Sequence, residues 1–283
     1  MPNRAALAIA SLLTLAATAV AAGELVLSVE GFKGPEAVRY DPEQDVYFVA
    51  NFNGEVNGDS NGFVSKVSPS GEILDLMFMT GTAQHPFHAG RGMLIAGASL
   101  WVADAQGVHE FDRRSGEHLS FVSLAAFEPG FPNDIAADDG GHLYVTDTGT
   151  SVLYRIAEGK ATIAAKTPFR ANGITRGPRG DGFLLAPWSG ADHVAAWRPG
   201  TGDFSTVATL NGGGNFDGLE LVDGKLFVAS QQDQSLHVIS NGADRMTIAL
   251  AGKPADLGVD TKRKRLIVPY VALNRIDIIT LAP

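Results

Sequence analysis

The amino-acid sequence predicts an all-β fold, a six-bladed β-propeller whose ring is closed by its own N-terminal strand. Three observations carry that reading. One strand motif recurs six times, the sixth repeat is a strand short, and an orphan strand precedes the first repeat. Composition agrees: 33 of 283 residues are glycine, well above the usual ~7%. Hydrophobic residues make up 45% and charged residues only 19%, so the chain can bury a large core between many turns.

The first element is a leader. Arg4 precedes an uncharged apolar run, Ala5–Val20, and Ala19-Val20-Ala21 before Ala22 forms a small-residue cleavage box. This is the layout of a secretory signal over residues 1–22, and the run falls short of the ~20 residues a membrane span needs. The expectation is an exported bacterial protein, periplasmic or secreted, with residues 23–283 as one domain and no membrane attachment after cleavage. The absence of cysteine removes disulfides, thiolate metal sites and cysteine nucleophiles. With 31 Asp and Glu against 22 Lys and Arg and a net charge of −9, nucleic acid is excluded as an expected partner. A small-molecule substrate is expected instead.

Leu25-Val26-Leu27-Ser28-Val29 is the orphan strand. The repeats follow, and the second strand of each is the clearest marker. It reads Val46–Asn51, Leu100–Asp104, Leu143–Asp147, Phe183–Pro187, Leu226–Ser230 and Leu266–Tyr270, apolar throughout and most often closed by a polar residue. Removing the leader leaves 261 residues, or about 43 per copy, inside the ~40–50 range of four-stranded propeller blades. β-Branched and aromatic enrichment supports strands, and no amphipathic helical period competes. The last copy offers three strands, near Ala255–Val259, Leu266–Val271 and Arg275–Leu281. The orphan strand supplies the fourth and so removes two exposed edges.

Repeat register then places the channel. The innermost strands begin at Glu36, Arg91, Asn133, Asn172, Asp217 and Ala255, positions that converge at one mouth of a propeller's central tunnel. Any one of the Asn-Gly, Asn-Asp or Asp-Gly pairs there is ordinary turn chemistry. Four oxygen-bearing side chains in one register are different. Glu36, Asn133, Asn172 and Asp217 form a hard-oxygen set suited to calcium, with magnesium and manganese as alternatives, and lack the Cys and His of a zinc site.

Through Gly34-Pro35-Glu36, Pro132-Asn133-Asp134, Ala171-Asn172-Gly173-Ile174 and Phe216-Asp217-Gly218-Leu219, the chain resembles the senescence-marker-protein/gluconolactonase/luciferin-regenerating-enzyme group of calcium-dependent propellers. It is more distantly similar to paraoxonase. The resemblance covers essentially the whole chain after the leader. It implies lactone or ester hydrolysis, with Glu36, Asn133, Asn172 and Asp217 holding a divalent metal and Asp217 as proton acceptor. One position departs: paraoxonase-like members carry histidine where Arg91 stands here. A guanidinium stays charged and cannot act as a histidine-type base, but it can orient a carboxylate or steady an oxyanion.

That departure leaves His88 and His85, just upstream, as candidate bases, His88 first. The loop Asn51–Gly62 is expected to roof the site, with Asn51, Arg91, Trp188 and Tyr270 touching substrate; Asp104 and Asp147 are weighed for the same pocket. Two motif matches are set aside. Gly58-Asp59-Ser60-Asn61-Gly62 fits G-x-S-x-G but lacks the strand–turn–helix setting of a nucleophile elbow. Lys262-Arg263-Lys264-Arg265 is a solvated turn in an acidic chain. The leading expectation is a metal-dependent lactonase or esterase; the alternative is a non-catalytic propeller that binds a small molecule or a protein.

Overall fold

Six four-stranded antiparallel sheets follow one another along the chain in the computed structural model, which describes residues 23–55 and 58–281. Blade 1 comprises Pro35–Asp41, Val46–Asn51, Phe63–Val67 and Ile73–Thr80. Blade 2 comprises Met93–Ala96, Ser99–Asp104, Gly107–Asp112 and His118–Ser123. Blade 3 comprises Pro132–Ala137, Leu143–Asp147, Val152–Ala157 and Lys160–Lys166. Blade 4 comprises Arg170–Arg176, Phe183–Ser189, His193–Trp197 and Phe204–Thr209. Blade 5 comprises Phe216–Val222, Lys225–Ser230, Ser235–Ser240 and Ala243–Ala249. Blade 6 takes Gly258–Asp260, Arg265–Tyr270 and Arg275–Thr280 from the end of the chain and Leu25–Glu30 from its beginning.

The predicted six-bladed propeller and its closure are therefore what the chain forms. Leu25–Glu30 pairs antiparallel with Arg275–Thr280, Val29 opposite Ile276, and Ser28 Oγ donates to Asp277 Oδ1 at 2.6 Å. Cutting this seam would expose two strand edges at once. The proposed signal segment, 1–22, lies outside the described residues. Among the described residues no helix is long and apolar enough to cross a membrane.

Packing explains why the second strands read as unbroken apolar runs. Each sheet is covered on both faces by a neighbouring blade, so both sets of alternating side chains are buried. Val46–Asn51 is buried at all six positions, whereas the outer strand Ile73–Thr80 is mostly exposed. Six apolar clusters fill the interfaces between adjacent blades. Phe48 and Met79 of blade 1 meet Met93 and Phe111 of blade 2, and Tyr47 and Val49 of the same blade meet Ile267 and Ile276 of blade 6.

The polar residue that ends a second strand has a structural task. Its side chain accepts backbone N–H groups from the segment leading into the inner strand. Asn51 Oδ1 accepts from Lys33 N at 2.9 Å, and Asp104 Oδ1 from His88 N at 3.2 Å and Ala89 N at 2.7 Å. Asp147 accepts from Gly130 N, Phe131 N, Gly149 N and Thr150 N, and from the Tyr154 hydroxyl. Ser230 Oγ accepts from Gly214 N at 3.2 Å. These clamps fix the approach to the tunnel, and they correct the reading that put Asn51 on the substrate and weighed Asp104 and Asp147 for the pocket.

The inner strands touch directly around the tunnel. Asp256 N donates to Glu36 O at 2.8 Å and Gly92 N to Asn133 O at 3.0 Å. Contact is close enough that Gly218 needs to be glycine: a Cβ there would lie 2.5 Å from Asp256 Oδ1 and 2.6 Å from its Cα.

Candidate metal and substrate site

The starts of the inner strands bring Glu36, Asn133, Asn172 and Asp217 into the lining of one cavity of about 430 Å³ at the tunnel mouth. All four side chains are buried, with residue exposures of 4%, 1%, 3% and 3%. Their hydrogen bonding leaves a pattern. Asn133 Nδ2 donates to Thr148 Oγ1 at 3.2 Å, and Gln231 Nε2 donates to Asp217 Oδ2 at 2.7 Å. One oxygen of each of the four remains buried with no hydrogen-bond partner: Glu36 Oε2, Asn133 Oδ1, Asn172 Oδ1 and Asp217 Oδ1. Buried polar atoms are nearly always paired, so four orphaned oxygens lining one cavity fit a cation with hard-oxygen preference.

Electrostatics points the same way. Burial raises the Glu36 carboxyl well above the usual carboxylate range; Asp217 and Asp256 add to the rise, and Arg91 offsets part of it. Burial likewise pushes Asp217 up to about 7, with the Gln231 hydrogen bond opposing and the Asp134 charge adding. Two carboxylates held where each resists ionisation are relieved by a positive charge between them. Among the described residues no group of three or more His, Cys, Asp or Glu side chains is placed to hold a metal; the tunnel set reaches four only by counting its two amides.

Beneath this layer lies a second one that the sequence reading missed. Arg39 of blade 1 reaches across the tunnel: its Nη2 lies 3.2 Å from Asp134 Oδ1 and 2.8 Å from Asp256 Oδ2, and its Nη1 lies 3.8 Å from Glu220 Oε1. Nη1 also donates to Leu257 O at 2.7 Å. Burial works against this guanidinium, but the Asp256 and Asp134 charges win and raise its pKa. Arg39 pulls Asp134, Asp256 and Glu220 down, but one charge among three buried carboxyls leaves burial dominant and all three raised. Its signal was available in sequence as a charged residue inside an inner strand, at Val38-Arg39-Tyr40.

Other predicted site residues divide. Trp188 lines the cavity, as does Phe52 from the loop expected to roof it, joined by Phe131, Thr148, Arg170, Gln231 and Val271, none of which the sequence reading had assigned to it. Arg91 stands behind the wall: it is 1% exposed, stacks 3.7 Å from the Phe131 ring centroid and donates from Nη1 to Pro132 O at 2.7 Å. Burial lowers it to about 10, against the pull of Asp104 and Glu36. Arg91 acts on the cavity through the Phe131 ring and through its charge on Glu36; buried and outside the lining, it corrects the reading of direct contact with substrate. His88 is buried in the roof loop, where its Nδ1 lies 3.2 Å from both Gly58 N and Ser60 N and 3.5 Å from Ser60 Oγ. Tyr270 is 1% exposed in the apolar cluster between blades 5 and 6, which corrects its placement on the substrate. His85 stacks on His118 and Phe121, on the outer strand of blade 2.

A larger crevice of about 640 Å³ opens between the turns of blades 4 and 5. Those turns join first to second and third to fourth strands, on the side of the ring away from the inner-strand starts. Its charged lining residues, Arg179, Asp181, Arg198 and Asp203, are all exposed. The buried, unpaired oxygens are at the other mouth.

The comparisons with known proteins follow this geometry. The architecture defines the class first: a six-bladed propeller with a polar tunnel mouth, and the NHL repeat family matches residues 130–151, spanning the entry to blade 3 and its second strand. Solved structures of the same fold include a gluconolactonase from Xanthomonas campestris, 17% identical with a TM-score of 0.69, covering 89% of this chain and 88% of that one. The calcium-binding protein regucalcin from Agrobacterium tumefaciens is 18% identical with a TM-score of 0.65, covering 87% and 85%. A streptogramin B lyase is 12% identical with a TM-score of 0.64, covering 90% and 97%. At these identities the likeness is one of fold. No curated protein sequence matches the chain.

Proposed function

We propose that the protein is a divalent-metal-dependent hydrolase of a lactone or related ester, exported by its N-terminal segment. The observation that carries the reading is the set of four orphaned oxygens, from Glu36, Asn133, Asn172 and Asp217, on one cavity. These four residues would hold the cation, calcium first by donor chemistry, with magnesium or manganese as alternatives. A bound cation supplies Lewis-acid polarisation of a carbonyl and stabilises developing negative charge.

The chain's own residues do the rest. Asp217 is oriented by Gln231 through Oδ2, and its carboxylate, which also counts among the cation's ligands, takes a proton from water as the water attacks the carbonyl carbon. The ring or ester C–O bond then breaks, and the departing oxygen recovers that proton. Phe52, Phe131 and Trp188 line the space where the substrate body sits and limit water there. The gluconolactonase and regucalcin likenesses are compatible with this chemistry.

One observation favours a second reading, a propeller that binds its ligand without turning it over. Among the described residues no histidine lines the cavity, so a base poised near neutral pH must be a carboxyl shifted upward by burial. A lactone and ester panel assayed with and without chelator separates the two. Turnover abolished by chelator and restored by calcium supports the hydrolase. A fully metal-loaded protein inert across the panel removes it and leaves the binding reading.

A further inference from the structure

The cavity lining carries opposite charges at different depths: an acid pole, the buried Glu36 and Asp217 carboxyls, and a cationic pole, the exposed Arg170. Arg170 begins the inner strand of blade 4 and is exposed. Its Nε donates to Thr148 O at 2.8 Å, while Thr148 Oγ1 accepts from Asn133 Nδ2 and donates to Ala171 O. The same threonine therefore steadies the guanidinium and a proposed metal ligand. Among the described residues the Nη groups of Arg170 make no hydrogen bond or ion pair, with Glu36 and Asp217 or with any other group. The fork is anchored at one nitrogen and uncommitted at the other two.

Between the poles the wall is aromatic and aliphatic: Phe52, Phe131, Trp188 and Val271. The few polar side chains there are already engaged, Thr148 in two hydrogen bonds and Gln231 with Asp217. Away from the unpaired oxygens of the mouth ring, a polyhydroxylated occupant would lay hydroxyls against this wall that find no partner, at a cost for each one buried. An apolar body does not. A carboxylate matches the open face of a guanidinium, which binds it through two parallel hydrogen bonds.

We propose that Arg170 is the specificity determinant of this site, and that the occupant is a small carboxylate-bearing lactone or ester with an apolar body. The carboxylate rests on Arg170 and the scissile carbonyl lies toward the acid pole. The substrate class rests on the hydrolase reading above, whereas recognition of the carboxylate does not, so the test separates them.

Binding is read first, by calorimetry and by quenching of tryptophan fluorescence, with 3-phenylpropanoate and its amide as probes. The carboxylate binds about tenfold or more tightly than the amide, chelator leaves the preference in place, and Arg170→Gln erases it. Arg170→Lys retains part of it, since a point charge replaces the fork. Thermal unfolding of each variant checks that the fold is kept. Equal binding of acid and amide would overturn the proposal. So would a preference that survives Arg170→Gln and disappears with chelator, because the carboxylate then sits at the acid pole. Gluconate binds at least about tenfold more weakly than 3-phenylpropanoate; equal or tighter binding overturns the apolar half. Turnover is read second, with phenyl hydrogen glutarate against phenyl pentanoate. A kcat/KM preference for the anionic ester that Arg170→Gln removes supports the substrate class. Binding selectivity without turnover of either ester sinks the hydrolase and leaves Arg170 as the anion-binding residue.

Discussion

Two rings of buried polar residues recur in this propeller, and they differ in whether their oxygens are used. The clamp ring consists of Asn51, Asp104, Asp147 and Ser230 at the ends of second strands, and its oxygens accept the backbone N–H groups that lead into each inner strand. The mouth ring consists of Glu36, Asn133, Asn172 and Asp217, and each keeps one buried oxygen with no partner. Both repeat in register, and both look alike in composition. Satisfaction separates them: a saturated carboxylate stabilises the fold, whereas an orphaned one costs stability until something arrives to use it. The clamp ring holds the blades, and the mouth ring is the candidate site.

The largest effect that tests this contrast falls on the mouth ring. Glu36→Gln and Asp217→Asn each remove a charge that only a cation would balance, so calcium affinity should fall by about a hundredfold or more in a calorimetric titration. Chelator-sensitive turnover should disappear with it. The metal-free variants should unfold at or above the temperature of the metal-free parent, because a buried, strained carboxylate has been neutralised. If both variants keep the parental affinity, the ring is not the metal site.

Asp147→Ala should behave in the opposite way. It strands the N–H groups of Gly130 and Phe131 and the Tyr154 hydroxyl, at a cost of about 3 kcal/mol. For a chain of this size that lowers the melting temperature by roughly 6–12 °C, with intrinsic calcium affinity of the folded protein changed little. A stable Asp147→Ala variant with lost calcium binding would merge the two rings and end the distinction.

The six-fold motif made the architecture legible because burial on both faces of every sheet writes an unbroken apolar run at Val46–Asn51 and its five counterparts. Register made the mouth ring legible for the same reason: equivalent positions in each blade point at one axis. Register was silent about what lies beyond the first position of each inner strand. Arg39 and Glu220 meet Asp134 and Asp256 across the tunnel from blades distant in sequence, and no local spacing encodes that encounter. The lining was partly legible. Trp188 reaches the cavity, but Tyr270, also near the end of a second strand, turns into an interblade cluster. Strand-end position fixes where a backbone ends and leaves the side-chain direction to packing. Arg170 was missed because a single arginine before a tunnel strand has no repeat to mark it.

A smaller effect concerns pH. Asp217 titrates near 3.8 when the chain is unfolded and at about 7 when it is folded without a cation. The folded protein therefore holds the extra proton between those values, and this carboxyl's contribution to the stability of the metal-free form declines as pH rises from ~4 to ~7. Raised Glu36 works in the same direction. Saturating calcium should flatten the decline by balancing the ionised carboxylates, and the clamp ring should contribute nothing to it. Melting curves across this range with and without calcium measure the difference. Because burial lowers His109 and His118 and so works in the opposite direction, the parent is compared with Glu36→Gln and Asp217→Asn: an unchanged metal-free pH profile in both variants would show that the mouth carboxyls are not held in the protonated form.

The smallest expected effect is at His88, and it sharpens the assignment of the base. Its ring nitrogen is engaged by the Gly58 and Ser60 N–H groups of the loop that carries Phe52 to the cavity wall. A ring held by those donors organises the loop and lies outside the lining. His88→Gln keeps an acceptor on a side chain of similar length, so kcat should change less than about twofold, with any loss seen in KM through Phe52. General bases commonly contribute a hundredfold or more. A hundredfold drop in kcat with unchanged calcium affinity would therefore move the base from Asp217 to His88, and would require the roof loop to open so that the imidazole reaches the cavity.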